Sequence, residues 1–173
     1  MIPATPVQEQ HIAAITDIIR QCAVHMISIN LASEVSDTKY ATDMVAETQD
    51  GSIGVRIRTY ESASAPGKWY RDLTIRAQTR NGNRTEIHKL RDGFARWYVY
   101  AWEAQDRTIS EWWFIDMNIM RTSGLIYEDR RLIPNGDGTG FYAYQKHELQ
   151  AIGAIIQQAV PKRIIYPHEP VYN

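Results

Sequence analysis

Hydrophobic residues recur with two different periods along the chain, and the order of these periods restricts the fold. Over residues 8–31, apolar side chains recur at steps of three and four, which predicts one long amphipathic helix. Three short segments then alternate between apolar and polar residues, which predicts strands at residues 42–48, 52–59 and 72–78. Asp50-Gly51 between the first two is a strong hairpin signal, so we expect a three-stranded meander.

A second helix is predicted after the meander. It covers residues 85–101, with Asn83 as its N-cap and Glu86 as the carboxylate of a capping box. The nearly continuous apolar run at residues 111–117 then predicts a well-covered strand. A strand in this position follows the helix directly, so helices and strands are mixed along the chain.

The C-terminal part of the sequence predicts shorter elements. Residues 135–140 contain three glycines and indicate a turn that leads into a strand at residues 141–145. Apolar spacing predicts a last helix at residues 146–159, and the proline-containing residues 161–173 are expected to be irregular. This order of elements is typical of the α/β class, as a three-layer α/β/α domain with a central mixed sheet.

Composition restricts the class of protein further. The 173 residues suit one globular domain, with a core at about residues 8–117, a strand-helix extension at 118–160 and a tail at 161–173. No apolar run approaches the length of a membrane span. The single cysteine excludes a disulfide within the chain and favours a cytoplasmic, reducing compartment.

The charge is unevenly distributed. The whole chain has a net charge of −1, but residues 56–96 contain ten Lys or Arg and four Asp or Glu, a net charge of +6. A cluster of this kind can form a phosphate-binding surface, because Lys and Arg contacts to the backbone supply most of the affinity for nucleic acids. It can equally be a set of solvated basic strand faces.

The element order and two short motifs resemble the PD-(D/E)xK nuclease superfamily, which has a restriction-endonuclease-like αβββαβ core. Thr42-Asp43 resembles the aspartate that opens one strand of the family's hairpin, and residues 55–58 occupy the place of the acid-x-Lys motif. The resemblance implies Mg²⁺-dependent hydrolysis of DNA. In this chain Arg56 stands where the family has an acid, and Arg58 stands where it has lysine.

Arginine cannot bind Mg²⁺, so the first hypothesis is a migrated site. Asp43 and Asp72 would bind Mg²⁺ or Mn²⁺, and the ion would activate water for hydrolysis of a DNA phosphodiester. The predicted catalytic residues are Asp43, Asp72, Glu86 and Lys89, and the predicted phosphate-binding residues are Arg56, Arg58 and Arg76.

The second hypothesis is a non-catalytic module of the same fold. It would bind nucleic acid or a protein partner, for example as a viral or mobile-element accessory protein. The family resemblance separately implies a homodimer, because many nucleases of this fold cut two strands with two sites. The third interpretation places the function elsewhere, and the strongest rival surface is a group of aromatic residues that can form core, stack on bases or contact a protein. These residues are Trp97, Tyr98, Tyr100, Trp102, Trp112 and Trp113.

Overall fold

The computed structural model describes residues 6–22, 26–31 and 44–159. Asp43 and the tail at residues 161–173 lie outside the described residues. The described α-helices are α1 (Pro6–Cys22), α2 (Tyr60–Ala63), α3 (Glu86–Arg91), α4 (Met117–Thr122) and α5 (Lys146–Ala151), and a 3₁₀ turn spans Leu125–Tyr127. The described strands are β1 (Met26–Leu31), β2 (Met44–Thr48), β3 (Gly51–Arg58), β4 (Ser64–Ala65), β5 (Lys68–Trp69), β6 (Asp72–Gln78), β7 (Trp97–Glu103), β8 (Ile109–Asp116), β9 (Ile133–Pro134), β10 (Gly140–Gln145) and β11 (Ile155–Ala159).

A six-stranded sheet forms the centre of the fold, with the strand order β1-β2-β3-β7-β8-β11. β3 and β7 run parallel, with Val55 opposite Val99, and the other neighbouring strands of this sheet are antiparallel. The predicted hairpin is confirmed, since Thr48 of β2 pairs with Gly51 of β3. The α/β class with a central mixed sheet is also confirmed.

Helix α1 covers one face of the large sheet. Ile15, Ile18 and Ile19 are buried and belong to the same core cluster as Val55 and Phe114 of the sheet. Burial of one such isoleucine contributes about 1.5–3 kcal/mol to stability, so this stripe fixes the helix on the sheet.

The opposite face of the large sheet is covered by a second sheet, of strand order β6-β10-β9, together with the short helices. Leu73 and Ile75 of β6 pack in one cluster with Tyr100, Trp102 and Trp113 of the large sheet. The predicted meander is therefore wrong, because β6 pairs with β10 and not with β3. The third layer is a mixture of strands and short helices, where the sequence predicted helices.

Three predicted helices continue too far. Residues 26–31 form β1, where the predicted first helix would continue; apolar and polar residues alternate there, as strands require. The second helix ends at Arg91, because Gly93 and Ala95 adopt positive φ angles of 99° and 55°. In the same way, Gly153 has φ of 71° and separates α5 from β11.

The aromatic residues after the second helix belong to strands and to the core. Tyr98 and Tyr100 lie on the same face of β7 and are each 1% exposed, so both belong to the core. Trp102 and Trp113 are fully buried with their ring centroids 4.6 Å apart. The aromatic group is thus mainly core. None of the described helices is long and apolar enough to cross a membrane.

Candidate functional site

A cleft of about 610 Å³ is lined by β3 of the large sheet and by β6, β9 and β10 of the small sheet. Its volume is within the range of pockets that hold small molecules, about 300–1,000 Å³. We call it the arginine cleft, because three arginines are among the residues that line it. The residues that line it include Arg56, Arg58, Arg76, Tyr70, Asp72, Thr74, Tyr100, Ile133 and Phe141.

Two of these arginines lie on one face of β3. Arg56 and Arg58 are two positions apart, so both side chains project from the sheet face that faces the small sheet. Their register partners in β7 are the buried Tyr100 and Trp102, and Tyr100 also lines the cleft. The alternation of arginine with Val55 and Ile57 in the sequence correctly places both guanidinium groups on one face.

Arg58 joins three segments of the chain. Its guanidinium donates to Asp72 Oδ1 at 2.9 Å and to the carbonyl oxygen of Ser62 at 3.1 Å. A weaker bond of 3.5 Å reaches the carbonyl oxygen of Tyr70. Both side chains of the Arg58–Asp72 pair are 12% exposed. The arginine therefore anchors α2 and the start of β6 to the C-terminal end of β3, and the pair is partly shielded from solvent.

Glu86 lies behind the cleft and is fully buried. Its Oε1 accepts a hydrogen bond from the Tyr98 hydroxyl at 2.5 Å. Its Oε2 accepts from the backbone N–H of Arg76 at 2.9 Å and from Arg56 at 3.2 Å. Both carboxylate oxygens thus have protein donors, as a buried charge requires.

The helix cap also differs from the prediction. Thr85 is the N-cap of α3, and the capping box is completed by His88. The predicted cap at Asn83, with Glu86 as the capping-box carboxylate, is therefore wrong. Because the Glu86 side chain takes no part in the cap, its buried carboxylate can accept hydrogen bonds from other parts of the fold.

Those predicted metal ligands that lie within the described residues fit a metal site poorly. Asp72 and Glu86 each accept hydrogen bonds from an arginine, and a guanidinium beside a carboxylate occupies the place of a cation. Among the described residues there is no group of three or more His, Cys, Asp or Glu that could hold a metal ion. Asp43 lies outside the described residues. The catalytic roles of Asp43, Asp72 and Glu86 therefore stay predictions.

The two remaining predicted residues lie in different places. Arg76 is exposed in β6 and lines the cleft, and its side chain forms no ion pair with any other residue in the described ranges. Lys89 is partly buried in α3 and is not among the described residues that line the cleft. The structure thus brings together the three predicted phosphate-binding arginines, and it places Lys89 apart from them.

The floor of the cleft is formed by Tyr100. Its hydroxyl lies 2.7 Å from Thr74 Oγ1, and burial raises its pKa above the usual tyrosine value. The phenol therefore stays neutral near pH 7, and its contact with Thr74 joins β6 to β7.

One wall of the same cleft is apolar, and it was not predicted from the sequence. Tyr70 is 43% exposed and Ile133 is 39% exposed, although both are large and apolar. Phe141 lies opposite Ile133 in the small sheet and also lines the cleft. The turn signal at residues 135–140 predicted a strand at residues 141–145 but could not show which sheet the strand joins, so this surface could not be predicted.

Comparison with known proteins shows no match to a family model, to a curated protein or to a solved structure.

Proposed function

We propose that this protein binds nucleic acid through its phosphates in the arginine cleft, and that binding needs no metal ion. The observation that carries the proposal is the position of Arg56, Arg58 and Arg76 around one open cleft. A guanidinium group holds its N–H donors in a fixed planar fork, and phosphate oxygens can accept two of these hydrogen bonds at once. Arginine is therefore well suited to this contact.

The charges in the cleft are only partly balanced. Arg56 pairs with Glu86, and Arg58 pairs with Asp72, so two of the three positive charges have carboxylate partners. Arg76 adds a positive charge that no acid in the described part of the chain offsets by an ion pair. The cleft is therefore net positive, and Arg76 is its most accessible cation.

The acids support binding better than hydrolysis. A metal-dependent nuclease needs carboxylate oxygens that can bind Mg²⁺, whereas those of Glu86 accept three hydrogen bonds from the protein. Hydrolysis of DNA at Asp43 and Asp72 stays a separate hypothesis. A restriction-endonuclease-like core is also a hypothesis: α1 on a mixed sheet supports it, whereas the place of β6 in the second sheet departs from the expected meander.

The test is DNA binding with and without a divalent metal. Fluorescence anisotropy with labelled single-stranded and double-stranded DNA is measured in EDTA and in Mg²⁺, and the same samples are run on a gel to detect cleavage. We expect salt-dependent binding in EDTA with no cleavage.

The matched variants are Arg76→Ala in the cleft and Arg20→Ala on α1, where Arg20 is 67% exposed. Arg76→Ala should weaken binding by roughly tenfold, as expected for the loss of one charged hydrogen bond. Arg20→Ala should leave affinity unchanged. Binding that appears only with Mg²⁺, together with strand cleavage, would favour the nuclease hypothesis.

A further inference from the structure

The small sheet presents a row of three side chains across its strands at the cleft. Arg76 of β6 lies opposite Phe141 of β10, and Phe141 lies opposite Ile133 of β9. Register partners lie on the same face with their Cβ atoms about 4.5–5.5 Å apart. All three residues line the cleft. A cation, an aromatic ring and an aliphatic side chain thus form one continuous strip.

This strip is not part of the hydrophobic core. Neither Phe141 nor Ile133 belongs to the described core clusters or to the residues packed against them. The neighbouring Tyr142 and Tyr144 are the residues of β10 that pack into the core. The position of the partly buried Phe141 at the cleft is therefore not explained by packing of the described core.

Tyr70 adds a second aromatic side chain at the rim. Its ring lies 5.8 Å from the guanidinium carbon of Arg58, within the range of a cation–π contact. Its carbonyl oxygen accepts a hydrogen bond from Trp102 Nε1 at 3.1 Å, so the backbone that carries the ring is tied to the core. The position of the exposed Tyr70 ring is therefore fixed by its backbone and does not depend on burial of the ring.

We infer that the ligand of the cleft is a single-stranded nucleic acid, with an unpaired base stacked on Phe141 or Tyr70 and its phosphates on the arginines; this inference rests on the proposed function. Aromatic rings beside cations match the two parts of a nucleotide, the flat base and the charged phosphate. A duplex offers phosphates but hides the faces of its bases, so the aromatic wall gains nothing from it.

The experiment compares four probes, of which the three oligonucleotide probes have the same length. They are a labelled thymidine oligonucleotide, an abasic strand with the same phosphates, the thymidine strand in a duplex, and thymidine monophosphate as a competitor. We expect the thymidine strand to bind roughly tenfold more tightly than the abasic strand, since stacking of one base contributes about this factor. The duplex and the mononucleotide should bind more weakly.

The variants separate the base contact from the phosphate contact. Phe141→Leu and Tyr70→Leu keep an apolar side chain and remove the ring, so they should reduce the difference between thymidine and abasic strands. Ile156→Leu on β11 is the control, because Ile156 is also exposed but lies in the large sheet. Circular dichroism checks that each variant is folded.

The outcomes distinguish this inference from the proposed function. If thymidine and abasic strands bind equally and Arg76→Ala weakens both, the phosphate site stands and base stacking is wrong. A duplex or a mononucleotide that binds as tightly as the thymidine strand overturns the assignment to a single strand. If no probe binds, the proposed function and this inference both fail.

Discussion

Arg58 in β3 and Asp72 in β6 form an ion pair across two different sheets, with 2.9 Å between Nη1 and Oδ1. The pair closes one end of the cleft and also reduces its positive charge. The carboxylate therefore has a structural role and competes with any phosphate that approaches Arg58. Substitution of Asp72 should change both stability and affinity, and two separate measurements distinguish these effects.

Asp72→Asn should weaken the fold and strengthen nucleic acid binding. Loss of the charged hydrogen bond lowers the free energy of unfolding by about 1–3 kcal/mol. The released charge of Arg58 then raises affinity for DNA several-fold. Urea denaturation and anisotropy measure the two effects, and Asp17→Asn on α1, where Asp17 is 69% exposed, is the control. If Asp72 binds a catalytic metal, the variant should instead lose activity without tighter binding.

Glu86→Ala should destabilise the protein strongly. The substitution removes the carboxylate that accepts hydrogen bonds from Arg56, from the backbone N–H of Arg76 and from the Tyr98 hydroxyl, and loss of the acceptor of a buried donor costs about 1–3 kcal/mol for each donor. Urea denaturation measures the loss, with Glu47→Ala at an exposed position of β2 as the control. A loss no greater than that of the control would show that Glu86 is not the structural acceptor described here.

Stability should fall at acid pH because of Glu103, which docks α1 onto β7. Burial alone would raise the pKa of Glu103, but hydrogen bonds from His11 and Arg107 outweigh burial and lower it. A carboxyl whose pKa is lower in the folded state stabilises the protein above its unfolded pKa of about 4.3. That contribution is lost as the pH falls through the folded pKa.

Glu103→Gln should therefore flatten the acid limb of the stability curve. Thermal or urea denaturation of both proteins between neutral and acid pH gives the slope of stability against pH. The variant should be less stable at neutral pH and should lose less stability on acidification. Parallel curves for the two proteins would contradict the assignment.

Cys22 should react slowly in the native protein. It packs against the core beneath α1, and burial raises the pKa of its thiol to about 11. Because the thiolate is the reactive form, alkylation by iodoacetamide near neutral pH should be slow when the protein is folded and much faster in urea. Equal rates in the two conditions would show that the thiol is not protected.

The sequence alone predicted the local elements with short-range signals. The hairpin at Asp50-Gly51 and the strand at residues 72–78 are correct, because turn residues and alternation act over a few positions. The apolar run at residues 111–117 also marks a strand, which spans Ile109–Asp116. Helix ends were missed where glycine with positive φ stops the helix, as at Gly93 and Gly153. When apolar residues keep a helical spacing beyond such a glycine, the sequence does not show that the helix has ended and a strand follows.

The candidate site was predictable only in part. The face shared by Arg56 and Arg58 follows from the period of a strand. The partners of these residues do not, since Asp72 and Glu86 reach them through long-range packing of the small sheet. Phe141 and Ile133 become neighbours of Arg76 only through pairing of β6, β9 and β10, which no local pattern encodes.

The salt dependence of DNA affinity tests metal-independent phosphate binding in the cleft most directly. Affinity of a single-stranded oligonucleotide is measured in EDTA over a range of salt concentrations for the wild type, Arg76→Ala and Arg20→Ala. Removal of one phosphate contact should reduce the slope of log affinity against log salt by about 0.7 in Arg76→Ala alone. The same slope in all three proteins would contradict binding of phosphate at Arg76.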